Sequence, residues 1–346
     1  MEKGKGGALS METIRTFIDL TAKEALQGIR PSRESLIKLL EIPTASDDCD
    51  YLGEVARQVA SEVTSNRAYL WGALGVDFKS CPMNCDFCSL GEAWGIVDAA
   101  GEQDFSEESI IRQVKDYANS KTRWIVLRTT EFYSLDVLAE LIQKIRNAVP
   151  GLYEIGLNVG EFGSKKAQAL YDAGVNFIYH SLRLGEGRDT RFDPKVRLDT
   201  LKAIKDSPLD LVFLVEPIGP EHTNEEIADI CLCAIEHHAI VTGAMARVPV
   251  KGTPLGDTAQ ISERRLAQIV AVTRIAAGRE VSDICVHPAN TTAMRFGANV
   301  AVVETGSIPR DNCCLPGEKW HQFDAQMAEE WFEKAGYTLC DNRKRG

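Results

Sequence analysis

Three cysteines lie within eight residues of each other in the segment KSCPMNCDFCSLGEAWG, residues 79–95. A structural zinc site normally has four ligands, and a redox pair needs only two cysteines. A 4Fe–4S cluster bound by Cys81, Cys85 and Cys88 would leave one iron without a protein ligand, free to bind the amino and carboxylate groups of a small molecule. Zinc stays an alternative only if a distant residue supplies the fourth ligand.

The composition excludes several classes of protein. Of the 346 residues, 44% are hydrophobic and 26% are charged, which is typical of a globular chain. The net charge of −11 argues against a nucleic-acid surface, which would be basic. No apolar run approaches the roughly 20 residues that span a bilayer, and the N-terminus has no apolar signal core. We therefore expect a cytoplasmic protein with no nucleic-acid or membrane partner, whose ten cysteines are metal ligands or buried thiols.

The elements that must position the cysteines alternate along the chain. Apolar side chains recur at intervals of three and four in the first part, which predicts a helical extension over residues 1–65. Short β-rich segments then alternate with amphipathic helical stretches. The eight predicted strands cover residues 68–76, 124–130, 154–160, 176–183, 210–218, 240–248, 283–288 and 299–306. Capping residues indicate the helix starts: Ser106, Ser134, Ser164, Thr223 with Glu226, and Ser262.

Alternating strands and helices predict parallel strands that helices cover. Eight such units indicate an α/β fold, a (β/α)8 barrel of the TIM type over residues 66–346, with a C-terminal loop and helix that close the mouth. In this fold the residues at the carboxyl ends of the strands form the site. The three cysteines follow the first predicted strand, so we expect them at that mouth.

The cysteine spacing, with the aromatic Phe87 before the third cysteine, resembles that of the radical S-adenosylmethionine (SAM) enzymes. TTEFY, residues 129–133, stands after the second predicted strand, where this superfamily has a Gly-Gly-Glu-like turn that binds the SAM amino group. Glu131 matches the acid of that turn, whereas Thr129 and Thr130 replace its glycines.

Further segments extend the resemblance over residues 60–340. VPVKGTPLGD, AVTRIAAG and AMRFGANVAVV are similar to segments of biotin synthase, and LNVGEF, with Glu161, is similar to the hydrogenase maturase of the same group. VEPIGPEHTNEE resembles the family's Ile-x-Gly-x-x-Glu stretch beside the adenine, which implies a role for Ile218. This group also contains methylornithine synthase and the two-protein lipoyl synthases.

The resemblance implies additional cofactor-binding residues. His180 and Ser181 are near the polar residues that contact SAM in biotin synthase, and Arg183 is a candidate for the SAM carboxylate. A surface salt bridge is the alternative for Arg183. Arg247 is a candidate for the carboxylate of SAM or of a substrate, and a solvated charge at the strand end is its alternative.

Biotin synthase has a second, sulfur-donating cluster in the barrel, held by three cysteines and an arginine. All four ligands are replaced here, by Thr129 or Thr130, by Asn158, by a cysteine-free fifth strand and by Asn290. A different second iron–sulfur cluster is predicted from Cys313 and Cys314, with Cys285 as a third ligand. Free thiols in a C-terminal loop are the alternative.

The resemblance implies a radical SAM enzyme of cofactor biosynthesis. SAM would be cleaved reductively at the 4Fe–4S cluster, and the resulting 5′-deoxyadenosyl radical would remove hydrogen from an unactivated carbon. The favoured reaction is sulfur insertion, similar to the two-protein lipoyl synthases. The alternatives are rearrangement or fragmentation of a small amino acid or thiol compound, and a non-catalytic iron–sulfur scaffold. The partners implied are SAM, a one-electron reductant protein, a small-molecule or lipoyl-protein substrate and a second synthase subunit.

Overall fold

Eight parallel strand positions close into a barrel in the computed structural model, which describes residues 11–304 and 323–341. The strands are β1 (Arg67–Gly75), β2 (Asp77–Phe78), β3 (Gln103–Asp104), β4 (Thr122–Arg128), β5 (Glu154–Asn158), β6 (Phe177–Tyr179), β7 (Asp210–Val212), β8 (Val215–Ile218), β9 (Val241–Ala246), β10 (Asp283–His287), β11 (Val300–Glu304) and β12 (Thr338–Leu339). The helices are α1 (Met11–Leu26), α2 (Arg33–Leu40), α3 (Asp47–Thr64), α4 (Ile96–Ala100), α5 (Glu107–Asn119), α6 (Leu135–Ala148), α7 (Ser164–Asp172), α8 (Pro194–Lys205), α9 (Asn224–Glu236), α10 (Glu263–Ala277), α11 (Thr291–Arg295) and α12 (Ala325–Lys334).

The order of the barrel strands confirms the predicted α/β fold. β1 pairs with β4 on one side and with β11 on the other. From β4 the ring continues through β5 and β6 to a place in the barrel that the short strands β7 and β8 share. It then passes through β9 and β10 back to β11. The strands at β9 and β10 approach closely at Gly243, where a Cβ atom would lie 2.0 Å from the carbonyl oxygen of Cys285. Gly243 also has a φ of +145°, so this point of closure requires glycine.

Most of the predicted helix starts are confirmed by their caps. The side chains of Ser106, Ser134 and Ser262 each accept a hydrogen bond from the backbone N–H three residues later. The capping box formed by Thr223 and Glu226 is present at α9. Ser164 differs from the prediction because it is the first residue of α7, whose N-cap is Gly163 without a side-chain cap.

The inside of the barrel is filled by large side chains. Trp71 on β1 lies opposite Trp124 on β4, and both belong to a buried apolar cluster inside the ring. Polar side chains lie instead at the ends of the strands, as in the Arg128–Glu304 ion pair at the carboxyl ends. The interior is therefore a packed core below a polar mouth, as expected for this fold.

The N-terminal helices pack on the outside of the barrel. α3 and α1 contact α10, and α2 contacts α9. The side-chain amide of Gln268 on α10 donates to the carbonyl oxygen of Ile42 at 2.6 Å. The helices of the extension share one buried apolar cluster with the barrel helices. Among the described residues, no helix is long and apolar enough to cross a membrane.

Candidate functional site

The loop that carries the three cysteines is folded back on itself beyond β1. The N–H of Cys88 donates to the carbonyl oxygen of Cys85 at 2.9 Å, and the N–H of Cys81 donates to that of Leu90 at 2.7 Å. All three cysteines are free; Cys85 is buried, whereas Cys81, Cys88 and the neighbouring Phe87 are half-buried. The structure therefore brings three thiols together in one loop beside the mouth.

Burial raises the pKa of two of the thiols in this loop. Burial raises the pKa of Cys85 to about 12, although the nearby charge of Arg183 opposes this shift. Burial also raises the pKa of Cys81, against the effect of the backbone N–H groups of Met83 and Glu131. Because thiolates are the metal-binding form, metal binding must release these protons.

The donor set of this loop is three thiolates, which are the ligands of iron–sulfur clusters. A structural zinc ion normally has a fourth ligand as well. The loop therefore suits a 4Fe–4S cluster in which one iron has no protein ligand.

Glu131, which follows β4, lies beside this loop. A backbone contact joins it to Cys81, and its Oε1 accepts the N–H of Glu161 at 3.2 Å. Burial raises the pKa of Glu131, against the charge of Arg197. The two loops pack tightly, since a Cβ atom on Gly160 would lie 2.0 Å from the carbonyl oxygen of Glu131. Glu131 thus lies between the cysteine loop and Glu161, and its contact with SAM stays a prediction.

Glu161, in the loop that follows β5, contacts side chains from other elements. Its carboxylate pairs with Arg197, accepts from Thr200 and lies 3.4 Å from Nε2 of His180. Burial alone would raise the pKa of Glu161, but the contact with His180 and the charge of Arg197 lower it to about 2. Burial lowers the pKa of His180. These contacts make Glu161 an anchor that stays ionised.

Arg183, which follows β6, is half-buried and lies near the carboxyl groups of the site. Burial alone would lower its pKa, but the negative charges of Glu186, Glu216 and Glu131 raise it further above its ordinary value. Its guanidinium lies 5.7 Å from the centroid of the Phe192 ring. A permanent positive charge is therefore placed between the cysteine loop and the barrel.

A buried carboxyl group lies next to Arg183 inside the barrel. Glu216 on β8 is 6% exposed and accepts a hydrogen bond from the hydroxyl of Tyr179. Burial raises the pKa of Glu216, against the charge of Arg183. Ser181 is buried beside them, and its hydroxyl oxygen accepts the N–H of Leu214 at 3.3 Å.

The two threonines before Glu131 use their hydroxyl groups within the protein. Thr129 donates to the carbonyl oxygen of Thr130 at 2.9 Å, and Thr130 donates to Asp77. Asp77 also accepts the N–H of Thr130 at 2.9 Å. These bonds fix the shape of the loop before Glu131, and the predicted contact of both threonines with the cofactor stays a prediction. Asn158 likewise donates to the carbonyl oxygen of Tyr179 at 2.9 Å.

Arg247 is not the solvated strand-end charge that was considered for it, since it is 3% exposed. Its guanidinium forms a two-pronged ion pair with Glu221. Gly219 permits this packing, because a Cβ atom there would lie 2.4 Å from the guanidinium. The backbone carbonyl of Ile218, which ends β8, accepts the N–H of Arg247 at 2.9 Å. The arginine thus fixes the segment that was predicted to lie beside the adenine.

Cys285 does not lie at the mouth, where the sequence placed it. It is fully buried within β10 among the apolar side chains inside the barrel, and burial raises the pKa of its thiol. A ligand to a cluster at the mouth would have to leave this core. Cys313 and Cys314 lie outside the described residues.

Sequence reasoning missed several of the polar side chains at the mouth. Besides Arg197 and Glu216, these are Arg128, Glu186, His287 and Glu304. Each follows or ends a strand, or begins a helix at the same edge of the barrel. The signal that could have found Glu304 and Arg128 is a charged residue at the end of an otherwise apolar strand, in VAVVE and WIVLR.

Comparisons with known proteins agree with this geometry. Biotin synthase of Staphylococcus aureus is 25% identical over 343 residues, which cover 93% of this chain and 96% of the relative. Biotin synthase 2 of Corynebacterium diphtheriae is 21% identical over 286 residues, which cover 78% of this chain and 84% of the relative. No protein-family model matches the chain.

Solved structures share the fold. The crystal structure of methylornithine synthase (PylB) has a TM-score of 0.77 at 15% identity and covers 92% of this chain and 97% of that one. The hydrogenase maturase HydG from Carboxydothermus hydrogenoformans has a TM-score of 0.73 at 15% identity, covering 98% of this chain and 87% of that one. In sequence and in fold the chain is therefore similar to the biotin-synthase-like group of radical SAM enzymes, whose cofactors are a 4Fe–4S cluster and SAM.

Proposed function

We propose that Cys81, Cys85 and Cys88 hold the 4Fe–4S cluster and that the enzyme abstracts hydrogen from a small molecule bound in the barrel. The observation that carries the proposal is the meeting of three loops at one end of the barrel. The cysteine loop follows β1, Glu131 follows β4, and Arg183 follows β6. The contacts of Glu131 with Cys81 and the charge of Arg183 near Cys85 support a single site.

The charges of the site suit SAM. The sulfonium and ammonium groups of SAM are positive and its carboxylate is negative, so it carries one net positive charge. Glu161 and Arg197 neutralise each other in a close ion pair. That leaves the carboxylate of Glu131 for the ammonium group and the guanidinium of Arg183 for the carboxylate. A charge-assisted hydrogen bond of each kind is stronger than a neutral one.

The cofactors, when bound, supply one chemical capability: an electron from the reduced cluster splits SAM into methionine and a 5′-deoxyadenosyl radical, which removes hydrogen from the substrate. The residues of the chain bind, orient and shield. Glu131 and Arg183 orient SAM, and the Glu161–Arg197 pair holds the loops that carry them. The apolar cluster inside the barrel, which includes Trp71 and Trp124, excludes water from the inner side of the site.

For the reaction class we propose a rearrangement or fragmentation rather than sulfur insertion. The burial of Cys285 in the apolar core removes one of the three thiolates that a second cluster was expected to use. Sulfur insertion, similar to the two-protein lipoyl synthases, is the second candidate, because Cys313 and Cys314 are adjacent in the chain. Iron content separates the two: about four irons per reconstituted chain support our proposal, and about eight support sulfur insertion.

The triple variant Cys81→Ala, Cys85→Ala, Cys88→Ala tests the proposed cluster site. After anaerobic reconstitution we expect it to lose the broad visible absorption of the cluster and all formation of 5′-deoxyadenosine. The matched control is the double variant Cys233→Ala, Cys340→Ala, whose cysteines are half-buried and away from the loop. It should keep both properties. SAM cleavage by the triple variant would refute the assignment.

A further inference from the structure

Two buried hydrogen-bond donors lie in the segment that follows the third cysteine. The hydroxyl oxygen of Ser89 and the indole nitrogen of Trp94 are both buried, and neither has a hydrogen-bond partner in the part of the chain that the structure describes. Ser89 comes directly after Cys88 and is 1% exposed. Because a buried donor without an acceptor is destabilising, the two side chains point to a bound group that supplies acceptors.

The indole of Trp94 packs directly on Gly91. A Cβ atom on Gly91 would lie 2.1 Å from Nε1 and 2.4 Å from Cδ1 of the ring, so only glycine leaves room for the indole there. The backbone of Gly91 is itself tied to two cysteines. Its N–H donates to the carbonyl oxygen of Cys88 at 3.2 Å, and it forms a β-bridge with Cys81. The indole nitrogen therefore lies beside the residue that connects these two cysteines.

The turn that carries Trp94 is fixed to the cysteine loop at two further points. This short 3-10 turn covers Glu92–Trp94. The N–H of Glu92 donates to the carbonyl oxygen of Cys81 at 3.0 Å. The N–H of Ala93 donates to Oδ1 of Asn84, which lies between the first two cysteines, at 2.8 Å. These bonds hold the indole in a constant position relative to the cysteines.

The acceptors that the chemistry of this loop implies are sulfur atoms. The sulfides and cysteine sulfurs of an iron–sulfur cluster carry negative charge, and hydrogen bonds to them are among the factors that set its reduction potential. Residues around a metal site commonly act in this way on the group that the ligands hold. Ser80, in the same loop, is different, because its hydroxyl group already donates to Oδ1 of Asp98 at 3.3 Å.

We propose that Ser89 and Trp94 donate hydrogen bonds to sulfur atoms of the cluster and thereby raise its reduction potential. Reduction by one electron adds a negative charge to the cluster. Donors directed at its sulfurs therefore stabilise the reduced form more than the oxidised form, and the effect is strong because the donors are removed from water. This inference rests on the proposed function, because it concerns the cluster that Cys81, Cys85 and Cys88 are proposed to hold.

The test is an anaerobic redox titration of the reconstituted protein without SAM. Dithionite is the reductant, and electron paramagnetic resonance measures the reduced cluster. At the midpoint potential of the wild type, Ser89→Ala and Trp94→Phe should each lower the ratio of reduced to oxidised cluster about tenfold. For a one-electron couple, this change equals a potential lower by about 59 mV. Trp94→Phe keeps an aromatic ring on Gly91 and removes the N–H donor.

Each variant has a matched control that should keep the wild-type potential. Ser80→Ala removes a hydroxyl group from the same loop, but one that already has an acceptor. Trp124→Phe removes another buried indole N–H without a partner, near the amino end of β4 and so away from the cysteines. Shifts in the controls as large as those in Ser89→Ala and Trp94→Phe would overturn the inference, since altered packing would then explain them.

A second measurement detects the donors in the wild type itself. Electron–nuclear double resonance of the reduced cluster in D2O should show exchangeable deuterons coupled to it, and Trp94→Phe should lose one of these couplings. Circular dichroism and iron content show whether each variant is folded and loaded.

The inference is overturned if either single variant has the wild-type potential or if Trp94→Phe keeps every coupling, as expected where buried water is the acceptor. In that case a wild type that holds a cluster and forms 5′-deoxyadenosine leaves the proposed function standing. A wild type that forms no cluster would refute the proposed function and the inference together.

Discussion

At the scale of single residues, Glu131 is the acid proposed to bind the ammonium group of SAM. The sequence predicted this acid from the segment TTEFY, and the structure places it between the cysteine loop and the β5 position. We expect Glu131→Gln to keep the cluster but to weaken SAM binding by about 1.5–3 kcal/mol, the range for a lost hydrogen bond to a charged group. Equilibrium binding to the reconstituted protein measures this loss. Glu140→Gln, on the exposed face of α6, is the control, and an unchanged SAM affinity in Glu131→Gln would remove Glu131 from the site.

Gly160 sets the distance between the two loops that hold Glu131. A Cβ atom there would lie 2.0 Å from the backbone oxygen of Glu131 and 2.8 Å from its Oε1. Gly160→Ala must therefore displace the glutamate, and we expect SAM affinity to fall at least tenfold with iron content unchanged. Gly163→Ala is a matched control three residues away, because its Cβ atom would meet open space. Equal SAM affinities for the two variants would show that the spacing of the loops does not matter.

At the scale of elements, the Glu161–Arg197 ion pair joins the loop after β5 to α8. Since the pKa of Glu161 is lowered from 4.5 to about 2, its ionised form stabilises the folded state at neutral pH. That stabilisation is complete above the ordinary pKa of a glutamate and is lost as the pH falls from about 4.5 towards about 2. A shift of this size corresponds to about 3 kcal/mol.

Denaturant unfolding of the metal-free protein tests this linkage. The difference in free energy of unfolding between wild type and Glu161→Gln should be constant from about pH 7 to about pH 5 and should shrink at lower pH. Glu140→Gln should show no such pH dependence. A difference that grows as the pH falls would contradict the pairing.

The same elements show what could be predicted from the sequence. Alternating apolar strands and capped helices predicted the barrel, because most of its helix starts have a local signal, as at Ser134 and Thr223. The cysteine loop was found for the same reason: its spacing is local. The partners of Glu161 were not found, since Arg197 and Thr200 come from a helix more than thirty residues later. Cys285 was predicted at the end of its strand, but β10 continues for two more residues to His287. Near the end of a strand, two residues are enough to separate the mouth of the barrel from its core.

At the scale of the whole molecule, a buried polar network ties α10 to the strands that close the barrel. Arg274 is fully buried, and it donates to the carbonyl oxygens of Gly297 at 2.9 Å and Ser282 at 2.7 Å and to Oδ1 of Asn299 at 2.7 Å. Asn299 in turn donates to Asp283 at 2.7 Å. The network therefore links β10, β11 and the helix that covers them.

Removing the guanidinium should destabilise the whole barrel. We expect Arg274→Met to lower the free energy of unfolding by about 3–5 kcal/mol, because it leaves several buried acceptors without a donor. Arg279→Met, at the exposed end of the same region, should cost less than about 1 kcal/mol. Denaturant melts of the metal-free proteins compare the two. A loss in Arg274→Met no larger than that in Arg279→Met would show that closure does not depend on this network.

The central claim is that the three-cysteine loop holds a 4Fe–4S cluster whose open iron binds SAM for radical formation. Electron paramagnetic resonance of the anaerobically reconstituted, one-electron-reduced protein tests it most directly, with and without SAM, followed by quantification of 5′-deoxyadenosine in the same samples. The account predicts a cubane signal that changes when SAM is added, and stoichiometric methionine and 5′-deoxyadenosine after reduction. A cubane signal that SAM does not change, with no 5′-deoxyadenosine formed, would contradict it.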